Sequence, residues 1–346
     1  MAAGMNTSTI EWHDLGAADL SALIEQAMAR PFHRERWKYT RMHKVAELLH
    51  APAATGDDDS ALIEPDTAIN LTEQIASAPE ALTPFIQGHR LRLIEAEEDG
   101  AEISLSNHAT PTYLRVHPGI SVSLMQVASS VQSSFLWLDV MQGASCELSI
   151  NALSGLSHRD YLHAQVGENA DFVLNLHTQG APLARQDIQI KCIGPGANVA
   201  IHAAACISPE ANLDQQITIE HRAPKTSSRQ YIHNVAGQNA SVTFNGRIHI
   251  HENCPEVDAH LSNKNIALAS QASFNTKPEL EIYTDDVVCS HGATVGALDE
   301  GELFYCLSRG IDLPEARRLL SMAFLNRASH GPLSEAAFRY FRASIQ

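Results

Sequence analysis

The sequence of 346 residues has neither a phosphate-binding glycine loop nor a paired cysteine motif. GxxxxGKS, GxxxxGKT and GxGxxG are all absent, so the chain should not hydrolyse ATP itself, and any nucleotide chemistry must come from a partner. Its six cysteines (146, 192, 206, 254, 289 and 306) are scattered with no CxxC pair. That is no disulfide framework, and free thiols in a reducing cytoplasm are expected. Positive charge is scarce: 24 Lys and Arg face 40 Asp and Glu, for a net charge of -16. A general nucleic-acid binder would need a basic face for phosphates, and an anionic membrane surface would repel this chain. The longest apolar run, Ala197 to Ile207, carries Asn198 and His202 and is too short to span a bilayer. MAAGMNTSTIEW has neither the basic nor the apolar segment of a secretory signal, so a cytoplasmic location is expected.

What is present divides into three sections. Residues 1–90 read as a helical domain with an acidic linker. Leu20, Leu23, Ile24 and Ala27 fall at helical spacing, and APAATGDDDS at 51–60 is linker by composition. Residues 91–296 read as short alternating strands, from LRLIEAEE through DFVLNLHT and QQITIEH to NIALAS. Recognisable helices between them are missing, which argues against a doubly wound sheet and leaves a sandwich, a barrel or a solenoid. Glycines come at uneven intervals, so no strict repeat can be counted. Residues 297–346 turn helical again, with Leu303, Phe304 and Leu307 on one face, Gly310 as a stop and Pro314 opening the next helix.

The stretch with most chemistry is TKPELEIYTDDVVCSHGATVGALDEGELFYCLSRG, Thr276 to Gly310. Glu279, Glu281 and Tyr283 alternate with Leu280 and Ile282, which predicts a strand. Gly292 and Gly296 loosen the backbone, so Asp285, Asp286, Cys289 and His291 are expected at a strand-to-helix junction, in a turn. A thiolate and an imidazole both bind zinc or iron, yet two ligands cannot enclose a metal and others would have to complete the shell. Cys289 could instead be a nucleophile with Asp286 orienting a histidine base. His249, His251 and Cys254 form a second candidate cluster, to which His233 and His260 on adjacent strands would add. The arginines after Asp312 make this end mildly basic and suggest a docking surface.

The same stretch, extended to Ile311, resembles the SufD group of the SufB/SufD family, the scaffold subunits of the SUF system of iron–sulfur cluster assembly. Weaker agreement takes in Phe244-Asn245-Gly246-Arg247-Ile248 upstream and Glu315-Ala316-Arg317-Arg318-Leu319-Leu320 downstream. Gly292 after the histidine favours SufD over a SufB-type paralogue. The resemblance implies a mainly β fold, a right-handed parallel β-helix flanked by N-terminal and C-terminal α-helical domains. It implies pairing with SufB through the β-helix and binding of the SufC ATPase through the C-terminal helices, with a homodimer possible without SufB. His291 and Cys289 would be half of an interfacial assembly site for a transient Fe–S cluster or iron shared with SufB. Asp285, Asp286, Glu302, Phe304, Tyr305, Arg309, Arg317 and Arg318 would face partners.

Two other classes compete with a non-catalytic scaffold. A β-helix carbohydrate-active enzyme would want paired carboxylates in a cleft, whereas the adjacent Asp285 and Asp286 point apart. A self-sufficient zinc module would hold its metal unaided. The chain purified alone is therefore expected to contain little iron or zinc by elemental analysis; a stoichiometric metal would favour the zinc module.

Overall fold

The computed structural model describes residues 92–106, 112–127, 133–153 and 157–345. The helical domain expected over residues 1–90 lies outside them. Among the described residues, sixteen strands form two eight-stranded sheets that wind as one parallel solenoid, each coil giving one strand to each sheet. The odd sheet runs β1 (Arg92–Ala96), β3 (Thr112–Val116), β5 (Ser133–Val140), β7 (His158–Val166), β9 (Ala184–Cys192), β11 (Asn212–His221), β13 (Ser241–Ile250), β15 (Ser273–Ile282). The even sheet runs β2 (Ala101–Ser106), β4 (Ser121–Val127), β6 (Ser145–Ala152), β8 (Asp171–Gln179), β10 (Asn198–Ile207), β12 (Ser227–Ala236), β14 (Val257–Ala267), β16 (Val287–Gly296). Of the three open architectures, the solenoid is the one formed. Strands in register drift in spacing, from Ser121↔Ser145 through Asp171↔Asn198 to Ser227↔Asp258. That drift is why no repeat shows in the sequence.

One corner of the coil fixes how each turn sits on the next. Gly119, Gly143, Asn169, Gly196, Lys225, Glu256 and Asp286 all take positive φ there. Gly143 N–H donates to the Glu168 carbonyl, Asn169 to Pro195, Gly196 to Pro224, Lys225 to Pro255 and Glu256 to Asp286. Asparagine tolerates this left-handed turn, but Lys225 and Glu256 do not prefer it. The stacked corner bonds hold them there. Inside the coil, alternate residues form columns such as Leu124, Leu148, Leu174, Ile201, Gln230 and Leu261, each at most 3% exposed. Gly246 faces this interior, where a Cβ would lie 2.5 Å from Leu261 Cδ1. Its lack of a side chain makes room for Leu261 and the Phe244 ring.

Three helices follow the last strand: α1 (Glu300–Ser308), α2 (Leu313–Asn326) and α3 (Ser334–Ser344). Asp299 caps α1 by accepting from Glu302 N–H at 2.8 Å, and Asp312 caps α2 by accepting from Glu315 N–H at 2.9 Å. Gly310, at φ 82°, ends the first helix. α2 and α3 pack on the outer face of the even sheet, with Leu325, Ala337, Phe341 and Ile345 against Leu153, Ala204, Cys206 and Val235. Burying the Phe341 ring there contributes about 2 kcal/mol. α1 buries no residue.

Histidines stitch the helices to the sheet. His177 bonds Asn151 Oδ1 at 2.9 Å and Ser329 Oγ at 2.7 Å. His233 Nδ1 donates to the Phe324 carbonyl at 2.8 Å, and the His202 ring lies 4.1 Å from His330. Burial holds His177 and His202 at about 4 against an ordinary 6.5, with nearby His330 adding repulsion. His233 is lowered too, by burial first and then by Lys264 and Arg327, against its bond to the Phe324 carbonyl. With folded values below unfolded ones, the unfolded chain takes up protons first. Stability is then full above about pH 6.5 and is lost as pH falls toward 4. Tm should accordingly drop between about pH 7 and pH 5, and the drop should shrink in His202→Phe, which cannot be protonated.

Candidate functional site

The cysteine and histidine of the signature stretch lie on a strand. Glu256 N–H donates to the Asp286 carbonyl, and Asp286 itself takes φ 58°, as the last member of the stacked corner. From that corner β16 runs straight through Cys289, Ser290, His291 and Gly292 to Gly296. The expected turn at this place is thus corrected. Neither Gly292 nor Gly296 takes a positive φ, and a Cβ at either would meet nothing within 4 Å, so neither breaks the strand. The segment Val-Val-Cys-Ser-His-Gly-Ala-Thr-Val does alternate, but its glycines read locally as breakers. Pairing with β14 supplies backbone bonds that override that preference.

On a strand, residues two apart share a face, and here Val287, Cys289 and His291 face inward. Cys289 pairs with Ala259, and His291 pairs with Leu261. His291 therefore continues the column of Leu174, Ile201, Gln230 and Leu261, but as an exposed imidazole, because β16 ends the even sheet. β15 ends the odd sheet in the same coil. The last coil thus presents two ten-residue edge strands, with Ile282, Tyr283, Val288 and Val295 exposed on or beside them. Edge strands of this length leave backbone donors and acceptors free to pair with another chain. Asp285 and Asp286 are exposed at the corner of this coil.

Cys289 is half-buried against the core. Burial pushes its thiol up, Asp258 adds to this, and a backbone hydrogen bond at Ala259 opposes it. Such a thiol is not an activated nucleophile, and Asp286 sits at the corner as a turn residue.

The second candidate cluster does not converge. His249 near the end of β13 and His251 just beyond that strand lie side by side, with ring centroids 4.1 Å apart. His249 Nδ1 lies 3.2 Å from Glu281 and His251 Nε2 lies 3.3 Å from Glu220. Cys254 is buried, and its Sγ donates to the Glu252 carbonyl at 3.5 Å. His233 belongs to the helix docking, and His260 bonds Ser290 and Asp258. A shallow cavity of about 410 Å³ opens beside His249, His251, Glu252 and Tyr283. Among the described residues, no group of three or more His, Cys, Asp or Glu could hold a metal ion.

The model of the SufBD core domain of SUF-system FeS cluster assembly matches residues 99–324, more than half of the chain. The chain belongs to the SufB/SufD family. It is 32% identical over 168 residues to the iron–sulfur cluster assembly protein SufD of Escherichia coli, covering 49% of this chain and 39% of that one. It is 33% identical over 145 residues to an iron–sulfur cluster assembly SufBD family protein of Synechocystis, covering 42% and 32%. Identity to the iron–sulfur cluster assembly protein SufB of Bacillus subtilis is 27% over 132 residues, covering 38% and 28%. The matched stretch thus spans well under half the length of each relative. None of these names states a catalytic activity. No described helix is long and apolar enough to cross a membrane.

The residues expected to meet partners on the helices fall into two groups. Phe304 and Tyr305 on α1 are 71% and 59% exposed, and Arg309 lies over the Tyr305 ring at 5.2 Å. Glu302 is exposed in the first turn of α1. Arg317 and Arg318 on α2 are engaged within the chain. Arg317 donates to the Leu268 carbonyl, and Arg318 pairs with Glu315 and reaches the Ile345 carbonyl. They hold the helices to the solenoid and to each other, which sequence spacing could not show.

The raised thiol has a direct consequence. Cys289 should react with iodoacetamide at neutral pH more slowly than an unfolded cysteine, and its rate should keep rising above about pH 9. Fast, pH-independent labelling near pH 7 would show an activated thiolate instead.

Proposed function

We propose that this chain is a non-catalytic scaffold subunit of iron–sulfur cluster assembly, and that its last coil supplies half of an assembly site. One observation carries the reading. His291 stands on the inward face of the terminal strand, where every other coil places a residue that the next coil covers. An imidazole held there is a poor end to a core and a good ligand for iron, which it would share with groups brought by a second chain.

The second chain in this reading is a SufB-type subunit, pairing its own last coil edge to edge with β15 and β16. Such pairing satisfies the open backbone groups and covers Val288 and Val295. One histidine and one half-buried thiol are too few to hold a cluster, so the site becomes competent only in the pair and can release what it builds. Cys289, with its raised thiol, is the weaker ligand of the two. The cluster or its iron is cargo rather than a resident cofactor.

The exposed face of α1, with Phe304, Tyr305 and Arg309, is proposed as the contact for a SufC-type ATPase. ATP-driven movement there reaches the assembly site by a short path, since α1 begins four residues after β16 ends. The cytoplasm is the setting that fits free thiols and acidic charge. A homodimer through the same edge is the expected state when the SufB-type chain is missing.

Co-expression with a SufB-type subunit and the ATPase tests both surfaces. His291→Ala should leave the complex intact and cut cluster formation to about a tenth or less, because loss of outer-shell partners alone costs roughly 10–100-fold at metal sites. Paired substitution of Phe304 and Tyr305 by Ser should release the ATPase and spare the pairing. Truncation after Asp312 is the poorer test, because it uncovers Leu153, Ala204, Cys206 and Val235. Normal cluster formation by the His291→Ala complex would overturn the assignment.

A further inference from the structure

On the outer side of the last coil a row of side-chain bonds crosses three strands and ends on the residue between Cys289 and His291. Arg229 on β12 is ion-paired with Asp258 on β14 at 2.5 Å and also donates to the Asp258 carbonyl at 2.9 Å. His260 Nε2 donates to Asp258 Oδ1 at 2.8 Å, and its Nδ1 lies 2.5 Å from the Ser290 hydroxyl on β16. A carboxylate can only accept, so it fixes the proton on Nε2 and leaves Nδ1 to accept from Ser290. Register aligns the row, because Arg229 pairs with His260 and His260 pairs with Ser290.

β16 has particular need of such a tie. Among the described residues its backbone is paired on one side only, and its other outward residues are Val288, Gly292, Thr294 and Gly296. Two of these have no side chain. A terminal strand so bare can twist or slip, and a slip by one residue turns every side chain to the other face. Cys289 and His291 would then face out, and Ser290 in. A hydroxyl bonded from the outer face blocks that slip at the one position flanked by both site residues.

We propose that Asp258, His260 and Ser290 are positioning residues of the half-site, pinning the edge strand from outside so that Cys289 and His291 keep the inward face. This rests on reading His291 as a site residue, and the two claims separate in the test. Hydrogen–deuterium exchange is measured on the full chain alone for peptides covering 287–296, with 199–206 as the internal reference. Ser290→Ala and His260→Leu should each speed exchange of the protected β16 amides about tenfold, as expected for one hydrogen bond. Ser290→Thr, which keeps a hydroxyl, should restore it, and the reference peptide should not change.

In the complex with the SufB-type chain and the ATPase, Ser290→Ala and His260→Leu should lower cluster formation several-fold without loss of assembly, and Ser290→Thr should recover it. Unchanged exchange in Ser290→Ala and His260→Leu overturns the pinning. Faster exchange with undiminished cluster formation overturns the positioning role. If exchange responds as expected while His291→Ala builds clusters normally, the strand is pinned but the site lies elsewhere.

Discussion

A coil of this solenoid has no stable face of its own. Its two strands bury one side of their residues against the opposite sheet, and their backbone groups are satisfied only by the coils before and after. Every feature that matters follows from this dependence. The corner residues from Gly119 to Glu256 each hand one N–H to the next turn, the inner columns stack from coil to coil, and the series then stops at β15 and β16. Stopping leaves two free edges and an uncovered column. At that place the chain puts His291.

The helices solve a different part of the same problem. The even sheet also has an outer face, and α2 and α3 cover it with Leu325, Ala337, Phe341 and Ile345. Their attachment relies on neutral imidazoles and on the Arg317 and Arg318 guanidinium groups. α1 takes no share in that packing. It stands off the solenoid with its aromatic residues outward, directly after the strand that bears Cys289 and His291.

Much of the architecture was legible in the residues. Alternation from residue 91 to 296 announced short strands without crossover helices, and Gly310 and Pro314 marked helix boundaries. The signature stretch named the family. What misled was local reading of glycine: Gly292 and Gly296 suggested a turn where β14 imposes a strand. Histidines misled too. His249, His251 and His233 looked like one pool of ligands, yet the fold distributes them between two sheets, where carboxylates and a carbonyl engage them.

The sequence by itself determined that strands would form, that free thiols and acidic charge would exclude several functions, and that Cys289 and His291 would lie close together. Those facts depend on residue type and on spacing of one or two positions, which local chemistry controls. Only the tertiary structure decided that both point inward, that their strand ends a sheet, and that His260, itself held by Asp258, reaches Ser290 from the other side. Those relations join residues 30 or more positions apart. Because coil lengths drift, no fixed period carries them; they exist once the corners have stacked.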